Sequence, residues 1–106
     1  MQDVTVRRAV MGDYDEIVEV LSEMDAQHAE ALPALFRRPE VPLRSRAYIA
    51  DLLADPAGTI LVAVLGVRVV GVAQVNVRRA PEFPVFLPRR YAWVEAFAVR
   101  EVYRRR

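Results

Sequence analysis

The chain has 106 residues, 54% of them hydrophobic, with a formal net charge of +1, which sets an expectation of one small globular domain with little core area to spare. It contains no Cys and a single His; this excludes disulfides, thiolate metal sites and a Cys nucleophile, and it argues against a His-rich metal centre. The N-terminal Met-Gln-Asp-Val has no signal-peptide character and no apolar run approaches the roughly 20 residues that span a bilayer, so a cytoplasmic protein with no membrane partner is expected.

In chain order, Val4 and Val6 alternate with Thr5 and Arg7 as a short strand, and Gly12-Asp13 breaks it. Asp13 followed three residues later by Glu16 is a capping-box pattern, and Tyr14, Ile17, Val18, Leu21 and Met24 continue at helical spacing. Pro33, Pro39 and Pro42 forbid a continuous helix beyond Leu32, so the stretch after Met24 reads as a second short helix and a turn. Ser45 can cap a further helix with Ile49, Leu52 and Leu53 on its apolar face, ended by Asp55-Pro56-Ala57-Gly58. The periodicity then changes. Thr59 to Val64 and Val67 to Arg78 are two β runs joined at Leu65-Gly66, a hairpin, and Gly71 inside the second run marks a bulge or a close backbone approach.

Arg79 to Arg90 is a Pro-rich connection, RAPEFPVFLPRR, readable as a functional flap. The last stretch, Tyr91 to Arg106, reads YAWVEAFAVREVYRRR. Val94, Ala96 and Ala98 alternate with Trp93, Glu95, Phe97 and Val99, which predicts a buried central strand, apolar on both faces, that holds one carboxylate. Arg100, Arg104, Arg105 and Arg106 gather where it ends. The charge is unevenly spread: residues 1–55 hold eleven Asp and Glu against six Arg, and residues 56–106 hold three against nine, so the second half is the one suited to an anion. A nucleic acid is not expected, because only Tyr103 accompanies the Arg run.

The segment AFAVREVYRRR resembles the fourth strand of the GNAT superfamily of N-acetyltransferases running into the cofactor loop Q/R-x-x-G-x-G/A, with Arg104 as its opening residue. The strand and helix around Arg8, Asp13 and Ile17 resemble the start of such a domain. The resemblance covers about the first two thirds of a GNAT domain. It implies an α+β fold with a mixed, mainly antiparallel sheet and flanking helices, a single incomplete domain over residues 1–106 that lacks the C-terminal strands and helices, and transfer of an acetyl group from acetyl-CoA to a primary amine. It further implies cofactor contacts at Phe97, Ala98, Val99, Arg104, Arg105 and Arg106, and an acceptor side drawn from His28, Gln74, Asn76, Phe83 and Tyr91.

The chemistry needs a neutral amine, a polarised thioester carbonyl and an ordered cofactor. Glu95 is the candidate base: on a largely apolar strand desolvation pushes its pKa upward. The alternative is a structural Glu paired with Arg78 or Arg90. His28 has two readings as well, an acceptor-side group or an exposed His on a helical corner. No metal is implied. A second functional class stays open beside the enzyme, a non-catalytic interaction or dimerisation module. An open apolar edge on the fourth strand would then recruit a second copy into a homo-oligomer.

Overall fold

In the computed structural model, residues 3–36, 44–79, 85, 87 and 90–104 are described. Strand β1 (Val4–Arg8) leads through a 3-10 turn (Met11–Asp13) into helix α1 (Tyr14–Ala31), followed by helix α2 (Arg46–Ala54), strands β2 (Gly58–Leu65), β3 (Arg68–Arg79) and β4 (Arg90–Val99), and a 3-10 turn (Glu101–Tyr103). The four strands form one sheet in the order β1-β2-β3-β4, every neighbour antiparallel. The fold is α+β, as expected.

Both helices pack on one face of this sheet. Ile17, Val20 and Leu21 of α1 and Ile49 of α2 form a single buried cluster with Ile60, Val62, Val72 and Ala98. Register explains the selection: Val62 lies opposite Val72 and Val72 opposite Ala98, so the three share the helix-facing side of the pleat. Ile17 and Ile49 are wholly inaccessible, and truncating either to Ala is expected to cost about 2–5 kcal/mol. The other face carries Val4 and Val6 of β1 and Val94 and Phe97 of β4, with Phe97 69% exposed.

Helix α1 differs from its expectation at both ends. It runs unbroken to Ala31, absorbing the separate short helix expected after Met24, and Leu32 caps it through an N–H bond to the His28 carbonyl at 2.9 Å. The sequence after Met24 contains good helix formers and no Pro until Pro33, so nothing stops the helix earlier. At its start the expected capping box is absent. Asp13 turns back instead: its carboxylate accepts from the Val10 N–H at 2.9 Å and from both terminal nitrogens of Arg7 at 2.8 and 2.9 Å. Glu16 points away to the sheet, where it accepts from the Val69 N–H at 2.8 Å. For α2 the expectation holds, with Ser45 Oγ accepting from the Tyr48 N–H at 3.1 Å.

The hairpin turn is Gly66-Val67, one residue later than expected. Gly66 has φ of 65° at the first central position, where a II′ turn takes glycine. Across β2 and β3 the pairing steps from Ala63 opposite Gly71 to Val64 opposite Val69, so Val70 is the extra residue of a bulge and Gly71 follows it. A Cβ on Gly71 would stand 3.4 Å from both Ala63 Cβ and the Ala98 carbonyl oxygen, so bulge and close approach occur together.

Strand β4 is an edge strand, not the buried central strand that its apolar composition predicts. Most of it is accessible, with Trp93 at 46% and Val94 at 54%. A second bulge lies within it: Gln74 is opposite Ala96 but Val75 is opposite Val94, leaving Glu95 as the extra residue. The bulge resets the alternation. Tyr91 and Trp93 before it share the helix-facing side with Ala96 and Ala98 after it, while Val94 falls with Phe97 on the other. The period-two split holds on each side of Glu95 and fails only across it.

Candidate active site

Two constellations lie along β4. The first surrounds the bulge. Glu95 Oε1 accepts from the Asn76 side-chain amide at 3.1 Å and from Arg78 Nη2, and the Arg78 guanidinium stacks 4.7 Å from the Trp93 ring centroid. Asn76 and Arg78 are opposite Trp93 and Tyr91 in the register, so one face of the outer half of β3 and β4 gathers all five side chains. The Asn76 amide and then the Arg78 guanidinium hold the Glu95 carboxyl below the usual carboxylate range, outweighing partial desolvation. This corrects the expected upward push. Glu95 sits on an exposed edge, so burial is slight and its partners decide the direction, and the pairing with Arg78 foreseen for a structural Glu is present.

The second constellation is a cleft of about 500 Å³ at the other end of β4. It is lined by Met24, Gln27 and His28 of α1, by Phe97, Ala98 and Val99 of β4, and by Tyr103 and Arg104. The cleft thus joins the three strand residues and Arg104, expected on the cofactor side, with His28, expected on the acceptor side. His28 also meets Phe36, ring centroids 5.5 Å apart. As an edge strand, β4 presents unpaired backbone groups along its free side, the kind of donor that polarises a carbonyl.

The two described cations at the end of the strand, Arg100 and Arg104, are not free. Arg100 is buried at 6% exposure; its Nε donates to the Val69 carbonyl at 2.7 Å and its Nη2 reaches Glu16 and Glu19 at 3.5 and 3.4 Å. Arg104 donates from Nε to the Val99 carbonyl at 2.9 Å and lies 3.7 Å from Glu23. Acidic positions on α1, at helical spacing, therefore clamp the chain after β4 against the helix. Of the remaining expected residues, Gln74 is half-buried on the helix-facing side opposite Ala96, and Phe83, Arg105 and Arg106 lie outside the described residues, as does most of the expected flap. Met24, Gln27 and Tyr103 in the cleft were missed; the sequence shows Met24 only as a core position and gives no signal that α1 reaches the end of β4.

No known family profile matches the sequence, and no curated protein matches it. Solved structures do. A mutant of the BH1408 protein from Bacillus halodurans superposes with a TM-score of 0.84 at 20% identity, over 94% of this chain and 64% of that one. The acetyltransferase from Vibrio fischeri gives 0.71 at 19% identity, over 95% and 73%, and a transcriptional regulator from Bacillus halodurans C-125 gives 0.58 at 22%, over 96% and 63%. The chain spans just under two thirds of the length of BH1408. It shares the fold of these proteins, one described as an acetyltransferase and one as a transcriptional regulator, so activity has to be argued from the site.

Among the described residues no group of three or more His, Asp or Glu could hold a metal ion, and no helix is long and apolar enough to cross a membrane.

Proposed function

We propose that this chain carries the donor side of an acetyl-CoA-dependent N-acetyltransferase acting on a primary amine. The observation that carries the reading is the cleft at the end of β4, where edge-strand backbone, Met24, Gln27 and His28 of α1, and Arg104 converge. An extended pantetheine arm laid along Phe97–Val99 would add to the sheet edge as a strand does, through main-chain hydrogen bonds. The same N–H groups would stabilise the oxyanion as the amine nitrogen bonds to the thioester carbon and the C–S bond breaks. The CoA thiolate then leaves and takes up a proton, and the amine loses one.

In this reading Glu95 serves the acceptor. A carboxylate held ionised by Asn76 and Arg78 is a weak base, suited to drawing an ammonium group to the bulge, with the proton passing on through water. Gln74, Asn76 and Tyr91 would line that approach, and His28 would border the cleft from α1. Hydrogen exchange of the β4 amides tests the donor side: acetyl-CoA should slow exchange at residues 96–99 and leave β1 unchanged. Protection spread evenly over the sheet, or none, would refute it.

A second reading rests on a different observation, the exposed apolar side chains of β4 at a sheet edge. Such an edge invites another strand, and a second copy pairing β4 to β4 would make the chain an interaction module. The two readings compete for the same backbone groups, so acetyl-CoA should oppose self-association.

A further inference from the structure

We propose that Arg79 and Arg90 form a binding site for a phosphate-type oxyanion on the face of the sheet turned away from the helices. The two residues are directly opposite one another in the β3–β4 register. Their Cβ atoms are therefore about 4.5–5.5 Å apart on one side of the pleat. Val77, two residues before Arg79, shares that side. Pro56, Ala57 and Val77 wall a concavity of about 290 Å³ into which both arginines open.

Like charges placed directly opposite on a sheet destabilise it, so this register carries a cost that needs an offset. It is not met by a described carboxylate. Arg7, Arg44, Arg46, Arg78, Arg100 and Arg104 each have an acidic partner; Arg8, Arg68, Arg79 and Arg90 have none among the described residues, and of these only Arg79 and Arg90 are opposite one another in the register. Asp55, next in sequence to the wall residue Pro56, has its Oδ1 turned onto the Ala57 N–H at 2.8 Å. Ala57 is fixed in turn, its carbonyl accepting from the Val77 N–H, which ties the wall to β3.

Two guanidinium forks side by side suit a tetrahedral dianion better than a single carboxylate, because each can donate a bidentate pair to separate oxygens. Arg90 begins β4 and the cleft is reached at Phe97, so the site stands about 20 Å along the strand from the cleft. It is independent of the acetyl-CoA reading.

The test is an NMR titration of the whole chain with inorganic phosphate at constant ionic strength, following the Nε–H signals of the arginines. Saturable shifts confined to Arg79 and Arg90 are expected. Arg79→Gln or Arg90→Gln should weaken binding at least tenfold, and Arg68→Gln, at the far end of the hairpin, should leave it unchanged. Glycerol phosphate is run beside it: tighter binding than inorganic phosphate assigns the site to phosphorylated molecules, and the reverse to the free ion. Without added phosphate, Arg79→Gln should unfold at a higher temperature than the parent chain, since it relieves the repulsion. The proposal is overturned by shifts that follow ionic strength alone, by acetate binding as tightly as phosphate, or by an equal loss in Arg68→Gln.

Discussion

Glu95 is held from two sides on an exposed edge, and its ionisation is set by those partners. Its folded pKa lies below the ordinary carboxylate value, so the link to Arg78 persists above that value and is lost as pH falls through the lowered one. Trp93 is the single Trp and lies under the Arg78 guanidinium, which makes it a reporter. Its fluorescence should change on acidification with a midpoint below that of an ordinary Glu, and Glu95→Gln should abolish the step; a midpoint at or above the ordinary value would contradict the geometry. Asp13 behaves with the same sign. Arg7 first, and the Val10 N–H after it, keep its carboxyl below the usual range against the effect of burial, so its contribution is full at neutral pH and fades in acid. Asp13→Asn should destabilise the chain by about 1–2 kcal/mol at pH 7 by denaturant unfolding, and the difference should shrink as pH falls through the lowered pKa. A constant difference down to strong acid would assign the loss to packing instead.

At the scale of elements, the clamp between α1 and the end of β4 sets the geometry of the cleft. Arg100 satisfies the Val69 carbonyl from a buried position, and Glu16, Glu19 and Glu23 reach the segment after the strand. Removing the guanidinium leaves a buried acceptor unpaired at about 1–3 kcal/mol. Arg100→Met should therefore lower stability by that amount and weaken any ligand bound at the cleft more than Arg78→Met does; equal effects would show that the clamp does not shape the cleft. Local periodicity made α1, α2 and the hairpin legible in the sequence, because each buries one stripe or one pleat face. β4 was legible as a strand, but its composition alone read as a buried central one, and the open edge was foreseen only through the resemblance, as the surface of an interaction module. An apolar strand looks the same whether a neighbour covers it or not, and one inserted residue at Glu95 exchanges the faces on either side of it. The paired fates of Glu16 and Arg100 were not legible either, since they depend on a contact across 84 positions of sequence.

For the whole molecule, one side of the sheet is packed under two helices and the other carries exposed Val4, Val6, Val94 and Phe97. Burying an exposed side chain of this size gains about 1.5–3 kcal/mol, so the chain should associate with itself as concentration rises. Sedimentation should show weight-average mass climbing above that of the 12.0 kDa monomer, and Val94→Lys on the β4 edge should suppress it; a monomer at every concentration would remove the interaction reading. The central claim concerns the cleft, and a calorimetric titration of the chain with acetyl-CoA tests it most directly. Saturable binding is predicted, weakened at least tenfold by Phe97→Glu at the cleft rim and unaffected by Val6→Glu on β1. Absence of saturable heat, or equal binding by the Phe97→Glu chain, would contradict a donor site at the end of β4.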